Sequence, residues 1–422
     1  MSESANIMLG VPAERRSYPI LVTLSGVLFL SMTAWYIYAL VSAPSEARWG
    51  FLVANYIFLL GVSQFGVAFS AIMRICGAQW SRPYYRIAEL ATLAFFPLAI
   101  LGFLFIFFFG GPHLFFWLNP PEGEHLSAWL DSTFMLSRNL VAQLLFYLIA
   151  VWYFTMGLLP DVTEEDSRKG PQWRQGLYRW MLRLKARWGE AALKRGAYFY
   201  SPIVLIIAVF SQTFIAWDLA MMLISHYHST IFPMHFIVGN MFAGTAALLF
   251  LALLLSRMMN MGKYFQTAQV HSIAIVMTGF MLLWLYMFWA QFFVSWFGNL
   301  EAEYGVLEVQ MYGHYAPLFW AMIICNFFIP LGCLISLTFK KTWWAMLMLA
   351  LIVNVGVWLN RYIIVVPGLA KDHLPFLSLP ELAMTVGLFS GFVFVLLLLF
   401  SVFPVISQWE VDTPAERFRL DG

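Results

Sequence analysis

Long apolar stretches alternate with short polar segments along almost the whole chain. A helix of about 20 apolar residues crosses the ~30 Å hydrocarbon core of a bilayer, so each stretch of that length predicts one membrane span. Ten spans, numbered 1 to 10 in chain order, are predicted near residues 19–42, 51–73, 88–110, 133–159, 198–224, 230–256, 274–297, 314–339, 343–366 and 381–406. The pattern therefore predicts an all-α integral membrane protein, with residues 1–422 as a single transmembrane domain.

The composition agrees with a membrane protein. Apolar residues make up 61% of the chain and charged residues only 11%, which is too little polar surface to cover a soluble protein. Span 1 is too long for the core of a secretory signal peptide, and no small-residue cleavage site follows it. We therefore expect span 1 to remain as a helix.

The basic residues are distributed unevenly between the two ends of the predicted helices. Of the 24 Lys and Arg residues, 20 lie in the termini or in the loops after spans 2, 4, 6 and 8, whereas only Arg48 and Lys371 lie in the other loops. Basic loops remain in the cytoplasm, so this asymmetry places both termini there and predicts a multi-pass protein of a bacterial inner membrane. An incorrect number of spans would have destroyed the alternation.

The longest segment between spans, residues 160–197, begins acidic and becomes basic. Apolar residues recur in it at helical spacing beside or opposite arginines, which is typical of an amphipathic helix in the headgroup region. The apolar positions are Trp173, Leu177, Trp180, Met181, Leu184 and Trp188. This helix is either an interfacial anchor or a docking surface for another subunit.

Several classes of enzyme lack support in the sequence. There is no nucleotide-binding glycine loop and no recognisable Ser/His/Asp arrangement, which argues against an ATPase or a hydrolase. Cys76, Cys325 and Cys333 have no spacing that holds zinc or an iron–sulfur cluster, so no metal site is predicted. The loops with few basic residues are too short for a soluble catalytic domain, and redox chemistry at that end would require a separate subunit.

Ionisable residues inside membrane spans are costly and are often functional, and four are the clearest cases here. They are Arg138 in span 4, Asp218 in span 5, His235 in span 6 and Arg361 in span 9. Together with Gln291 in span 7, they share one predicted depth, in the external third of the membrane. One buried polar pocket would explain all five.

Each residue also has a simpler explanation. Arg138 or Arg361 can extend to the lipid headgroups. Asp218 can pair with one of those arginines and hold helices together. His235 can be a packing residue. Five separate accidents at one depth are less plausible than one site, so the pocket is the preferred hypothesis.

A quinone suits such a pocket, because it needs an apolar slot for its tail and one or two protonatable groups at its carbonyls. A transmembrane haem normally needs two axial histidines at one depth, and His235 has no clear partner within the membrane. A transporter would favour a pair of broken helices near the midplane, which the sequence does not indicate.

Six segments, in this order and spacing, resemble one known family. They are WGFLVANYIFLLGVSQFGVAFSAIMR (49–74), RIAELATL (86–93), DLAMMLISHYHSTIFPMHFIVGNMFAG (218–244), FFVSWFGN (292–299), MYGHYAPLFWAMIICNFFIP (311–330) and NVGVWLNRYIIVVPGL (354–369). The chain resembles the NrfD-like family of polysulfide reductase membrane subunits over residues 49 to 405, and within it most the C subunit of alternative complex III.

The resemblance implies two adjacent four-helix bundles, formed by spans 2 to 5 and 6 to 9, with peripheral helices beside them. It also implies a quinone pocket near the periplasmic face and partner subunits that carry iron–sulfur clusters, haem c or a molybdopterin site. Residues that match the family's functional positions are Arg86, Glu89, Asp218, His228 and Arg361.

Three positions depart from the family pattern. Ser63 and Gln64 replace a Gly-His pair, Gln291 replaces a Glu before two aromatic residues, and Asn360 replaces the Glu before Arg361. An amide can donate a hydrogen bond to a quinone carbonyl but cannot take up the quinol proton.

We therefore interpret the chain as the quinone-binding membrane subunit of a multi-subunit electron-transfer complex, not a complete enzyme, with menaquinone or ubiquinone as its ligand and no haem or iron–sulfur cluster of its own. The predicted proton acceptors are Asp218 and His228. Arg138 and Arg361 are predicted to fix the charge of Asp218 or to orient the headgroup, and Gln64 and Gln291 are predicted to be neutral hydrogen-bond partners. Arg86 and Glu89 are predicted to form a polar pair on a proton path. The alternatives are a scaffold subunit that has lost quinone turnover and a proton-coupled transporter that uses Asp218 and His235.

Overall fold

A computed structural model describes residues 18–118, 127–168, 170–224, 227, 229–299, 301–370 and 372–412. Within these ranges the chain forms helices and turns without strands. Ten helices are long and apolar enough to cross a membrane: Pro19–Ser42, Glu46–Ile75, Gln79–Leu114, Ser132–Asp161, Glu190–Leu223, Phe232–Met258, Thr267–Gly298, Ala316–Ile335, Trp343–Gly368 and Leu379–Val402. They are spans 1 to 10, and the prediction of an all-α integral membrane protein is confirmed.

Local sequence explains where several spans begin and bend. The side chains of Ser45 and Asp131 accept hydrogen bonds from the backbone at the starts of spans 2 and 4, at 3.3 and 2.7 Å, and so cap those helices. Spans 3 and 8 each contain a π-helical turn, at Ile106–Gly110 and Ile324–Phe328. Such turns interrupt the regular helical ladder and often occur at functional positions.

The spans are arranged as two adjacent bundles. Spans 2 to 5 pack against one another as the first bundle, and spans 6 to 9 pack as the second, with spans 2 and 5 touching span 6 between them. Span 2 lies at the centre and is almost entirely buried. At Gly66 it approaches span 3 so closely that a Cβ would lie 2.1 Å from the carbonyl oxygen of Ala88, which only glycine permits.

Spans 1 and 10 pair with each other along the outside of the first bundle. The outer surface of the assembly carries many exposed large apolar side chains, among them Leu30, Phe109, Leu148 and Phe210. In water such a surface would be unfavourable, whereas in lipid it is the expected surface of a membrane protein.

The two ends of the bundles differ in charge. At one end, Glu410 after span 10 contacts Arg74 in the last turn of span 2, and Arg257 in the last turn of span 6 lies over Trp343 at the start of span 9. We call this the basic end, since the loops after spans 2, 4, 6 and 8 meet there. We call the other end, where the loops after spans 1, 3, 5, 7 and 9 meet, the opposite end. There the hydroxyl of Tyr315 donates to the carbonyl of Ala370 at 2.6 Å.

The segment after span 4 contains a helix at the basic end, Gln172–Trp188, which we call the interfacial helix. Tyr178 and Met181 are buried against the bundle, while Trp173 and Trp180 are exposed. The hydroxyl of Tyr178 donates to the carbonyl of Val402 at 2.8 Å and so fixes the helix to the end of span 10. The prediction for the exposed tryptophans stays as stated above, contact with either lipid headgroups or another subunit.

Candidate functional site

Arg138 and Asp218 form a buried ion pair between spans 4 and 5. The guanidinium group of Arg138 donates two hydrogen bonds to the carboxylate, Nε to Oδ2 at 2.8 Å and Nη2 to Oδ1 at 2.6 Å. Asn139 donates to Oδ2, and the indole of Trp129 donates to Oδ1 at 3.2 Å. Four donors occupy the roughly four acceptor sites of a carboxylate, so Asp218 has no acceptor site left for a ligand.

Arg361 occupies a different environment in the second bundle. Its side chain is fully buried, and no carboxylate pairs with it within the part of the chain that the structure describes. Nη2 donates to the carbonyl of Phe236 at 2.7 Å and to Oδ1 of Asn240 at 3.0 Å, and Nη1 donates to Oδ1 of Asn360 at 3.1 Å. A Cβ on Gly239 would lie 2.7 Å from Nη2, so the glycine makes room for the guanidinium group.

These contacts separate the two arginines of the predicted site. Both are predicted to fix the charge of Asp218 or to orient the headgroup; Arg138 pairs with Asp218, whereas Arg361 is held by backbone and amide oxygens. The reason is their position in the fold, because Arg138 and Asp218 belong to the first bundle and Arg361 faces the interior of the second.

A cavity of about 50 Å³ lies in the second bundle near the opposite end. Its polar lining comes from His235, Gln291, Gln310 and Asn360, and the remaining walls are apolar or aromatic. The short helix Glu301–Met311 covers it and contributes Gln310, whose amide donates to the carbonyl of Ile363 at 3.1 Å. Arg138, Asp218, Arg361 and Gln64 are not among its lining residues. The single pocket expected from helix depth is therefore divided.

His235 is the unsatisfied polar group at this cavity. It is buried, and its Nε2 atom has no hydrogen-bond partner among the residues described. The imidazole ring lies 5.9 Å from the Trp284 ring and 6.0 Å from the Phe288 ring, centroid to centroid, so aromatic faces surround it. A buried ring nitrogen without a partner is unfavourable unless water or a ligand supplies one.

Gln291 is held in place at the cavity wall by the segment that follows span 5. Its Nε2 donates to the hydroxyl of Tyr227 at 2.8 Å, and the hydroxyl of Ser229 donates to its Oε1 at 2.7 Å. His228, the second predicted proton acceptor, lies outside the described residues.

Gln64 lies apart from the cavity, in the core of the first bundle. It is fully buried, and both atoms of its amide have no hydrogen-bond partner in the described part of the chain. The hydroxyl of Tyr147, which lies beside Gln64, and Nε2 of Gln143 are also unsatisfied. Several unsatisfied polar groups in one core are typical of a site for internal water.

Arg86 and Glu89 lie at the basic end, but they do not pair with each other as predicted. Arg86 donates to Asp161 at 2.8 Å and to the carbonyl of Gly157 at 2.7 Å, whereas Glu89 lies 2.8 Å from Nη1 of Arg74. The two side chains leave span 3 one turn apart and reach different neighbours, span 4 for the arginine and span 2 for the glutamate.

The chain after span 10 completes this charge cluster. Glu410 accepts two hydrogen bonds from Arg74, Nε to Oε1 at 2.7 Å and Nη2 to Oε2 at 3.1 Å, and the backbone N–H of Trp409 donates to Asp161 at 2.9 Å. Five charged residues thus form one buried cluster: Arg74, Arg86, Glu89, Asp161 and Glu410. Sequence reasoning assigned Arg74 only to a loop and missed Asp161 and Glu410.

Among the described residues there is no group of three or more His, Cys, Asp or Glu side chains that could hold a metal ion. The predicted site residues that the structure describes occupy four places. In the ion pair of Arg138 and Asp218 and in the charge cluster at the basic end, each arginine contacts a carboxylate, and Gln64 lies in the core of the first bundle. The cavity beside His235, which Asn360 connects to Arg361, combines free hydrogen-bonding capacity with an uncompensated positive charge. This cavity is the best candidate for a ligand site.

Comparison with known proteins agrees with the resemblance noted above. No curated protein matches the chain. Residues 39–371 match the family described as polysulphide reductase, NrfD, and this region holds both bundles, while span 10 and most of span 1 lie outside it. The link to the C subunit of alternative complex III remains a prediction. Because the match covers more than half of the chain, the protein belongs to the NrfD family.

Proposed function

We propose that the protein is the membrane subunit of a multi-subunit electron-transfer complex and that it binds a quinone or quinol in the cavity of the second bundle. Members of the NrfD family typically link the quinone pool to partner redox subunits. Membership supports the first part of the proposal, and the chemistry of the cavity supports the second.

The observation that carries the quinone assignment is the unsatisfied Nε2 atom of His235 at the cavity wall. A quinone carbonyl or a quinol hydroxyl would supply the missing partner, because imidazole nitrogens can donate or accept a hydrogen bond. The ring of Phe288, which lines the cavity beside the imidazole, suits a flat aromatic headgroup. His235 replaces Asp218 as the proposed hydrogen-bonding partner of the headgroup, since the carboxylate of Asp218 is fully occupied by its partners.

Arg361 supports an electron-rich ligand in the same place. Its guanidinium group is connected to the cavity through Asn360, which lines it. A buried cation without a carboxylate stabilises negative charge that develops nearby, and a quinone gains such charge when it is reduced. Gln291 and Asn360, the two amides in place of the family's glutamates, provide hydrogen bonds without accepting the proton.

The cavity must widen to hold a headgroup. A volume of about 50 Å³ accommodates one or two water molecules, whereas small-molecule sites usually measure about 300–1,000 Å³. The helix Glu301–Met311 forms the cover, so we propose that its displacement admits the quinone from the membrane.

Orientation and partners follow from charge and family. We propose that the basic end faces the cytoplasm of a bacterial inner membrane and that the cavity lies near the periplasmic face. There the protein would transfer electrons between menaquinone or ubiquinone and a partner that carries iron–sulfur clusters, haem c or molybdopterin. It is a subunit of an oxidoreductase in this proposal, not a complete enzyme.

A scaffold subunit without quinone turnover is the second candidate function. The saturated carboxylate of Asp218 favours it, because the acidic group proposed from the family pattern is engaged in holding spans 4 and 5 together. In this case the cavity would contain only water.

The amount of quinone bound per protein distinguishes the two functions. We would purify the native complex into lipid nanodiscs that contain menaquinone or ubiquinone, and extract and quantify the bound quinone. His235→Leu is expected to weaken binding about tenfold, which corresponds to one lost hydrogen bond. His271→Leu, in span 7 at the basic end, is the matched control and should leave binding unchanged.

Two results would contradict the proposal. Wild-type protein without bound quinone would support the scaffold, and an equal loss in both histidine variants would separate quinone binding from the cavity. Purification without any redox subunit would instead support a transporter.

A further inference from the structure

A groove of about 420 Å³ opens at the basic end of the second bundle. It lies between the end of span 6, the loop that follows it and the start of span 9. The walls are formed by Ser256, Arg257, Gly262, Lys263 and Trp343, among others. None of these residues belongs to the cavity proposed for quinone or to the charge cluster of the first bundle.

The groove presents hydrogen-bond donors and positive charge. Arg257 and Lys263 are exposed, and neither has an acidic partner among the residues that the structure describes. The guanidinium group of Arg257 lies over the ring of Trp343, 4.9 Å from its centroid, and the indole Nε1 of Trp343 has no acceptor in the described chain. Unpaired cations beside an unsatisfied donor fit a ligand that is anionic and rich in acceptor oxygens.

The surroundings of the groove add to its positive charge. The loop after span 8 contributes Lys340 and Lys341 at the end of the short helix Leu337–Lys341, which packs against spans 7 and 9. Residues 257–266 and 336–343 contain four cationic residues and no acidic residue. This differs from the basic end of the first bundle, where Glu89, Asp161 and Glu410 neutralise the arginines.

The groove also continues onto the lipid-facing surface. Leu254 lies one helical turn before Arg257 on the same face of span 6 and is exposed, as is Trp344 beside Trp343. A molecule held in the groove by its head can therefore extend apolar chains along these residues. Free phosphate has no apolar part that could contact this surface, whereas the acyl chains of a phospholipid can contact it.

We propose that this groove is a binding site for an anionic phospholipid of the leaflet at the basic end. The phosphate group lies between Arg257 and Lys263, and an acyl chain lies along Leu254. Basic pockets between membrane helices on the cytoplasmic side recognise acidic headgroups by this combination of charge and apolar contact. The bound lipid would neutralise the basic end of the second bundle, as internal carboxylates do in the first.

Native mass spectrometry of the full-length protein can test the site by titration with phosphatidylglycerol, and with phosphatidylcholine for comparison. In the double variant Arg257→Gln/Lys263→Gln, the affinity for the most tightly bound phosphatidylglycerol molecule should be about tenfold lower than in the wild type. Arg179→Gln/Arg183→Gln removes the same charge from the exposed face of the interfacial helix and should leave that affinity unchanged. Lys263→Gln alone, in an exposed loop, should show a smaller loss and covers the case in which the double variant does not fold.

Inorganic phosphate distinguishes the two sources of the anion. Millimolar phosphate should not displace the lipid, because it lacks the apolar contact. The proposal is overturned if phosphate competes fully, if phosphatidylcholine binds equally well, or if both double variants lose the same affinity, since the attraction would then be general to the basic end. None of these outcomes depends on quinone binding.

Discussion

The two bundles handle buried charge in opposite ways. In the first bundle every buried arginine contacts a carboxylate, Arg138 near the opposite end and Arg74 and Arg86 at the basic end. In the second bundle Arg361 is fully buried and contacts only backbone and amide oxygens within the described chain. The bundles have the same number of spans, so the difference lies in side-chain chemistry and not in architecture.

This difference assigns different roles to the bundles. A buried pair loses most of the solvation of both ions and is retained when removal of either partner would be costly. A buried cation without a counter-ion can still attract a negatively charged group. Each buried arginine of the first bundle is thus compensated by a carboxylate, while Arg361 in the second can stabilise an anion or an electron-rich ligand.

The largest loss of stability is expected when Arg74 is removed. Arg74→Leu leaves the carboxylates of Glu89 and Glu410 buried without their common partner, and breaking such a pair costs about 3–5 kcal/mol. We expect a corresponding decrease in the free energy of unfolding, measured by denaturant titration in mixed micelles. Arg187→Leu, on the exposed side of the interfacial helix, is the control. A loss below about 1 kcal/mol would mean that the cluster is solvated.

A somewhat smaller effect is expected for Asp218→Asn, about 3 kcal/mol, because Arg138 lies near the opposite end and can partly reach water. The double variant Arg138→Leu/Asp218→Leu should recover most of this loss, since it removes both charges. The same denaturant titration measures Asp218→Asn, the double variant and its two single variants, Arg138→Leu and Asp218→Leu. If the double variant is as unstable as the sum of its single changes, the two residues act independently.

The smallest change in stability is expected for Arg361→Leu. No carboxylate is left unpaired, so only hydrogen bonds to Phe236, Asn240 and Asn360 are lost, and we expect a loss of at most about 2 kcal/mol. Quinone binding should nevertheless weaken, by the extraction assay described above. A loss as large as that for Arg74→Leu would show that the second bundle also depends on its buried charge and would end the contrast.

The membrane spans could be predicted from the sequence because their signal is local. A run of apolar residues and the charge of the adjoining loops decide whether a helix crosses the bilayer and in which direction. The same local signal gave the depth of Arg138, Asp218, His235 and Arg361, and each lies in the span to which it was assigned.

The partners of these residues could not be predicted, because depth does not determine the direction in which a side chain points. Arg361 and Asp218 have similar depths but belong to different bundles. Arg86 and Glu89 are three residues apart on span 3, yet each reaches a different helix. Pairing depends on the rotation of each helix and on its neighbours, which a single sequence with near-uniform apolar faces leaves open.

The contact between Arg74 and Glu410 joins residues that are 336 positions apart. During synthesis the second helix enters the bilayer long before the ribosome reaches Glu410, so Glu89 of the next helix is the carboxylate available to Arg74 until eight further helices have been made. A nascent chain interrupted before residue 410 would lack the two hydrogen bonds that Glu410 accepts from Arg74. The last residues of the described chain therefore complete a contact that the second helix cannot form earlier in synthesis.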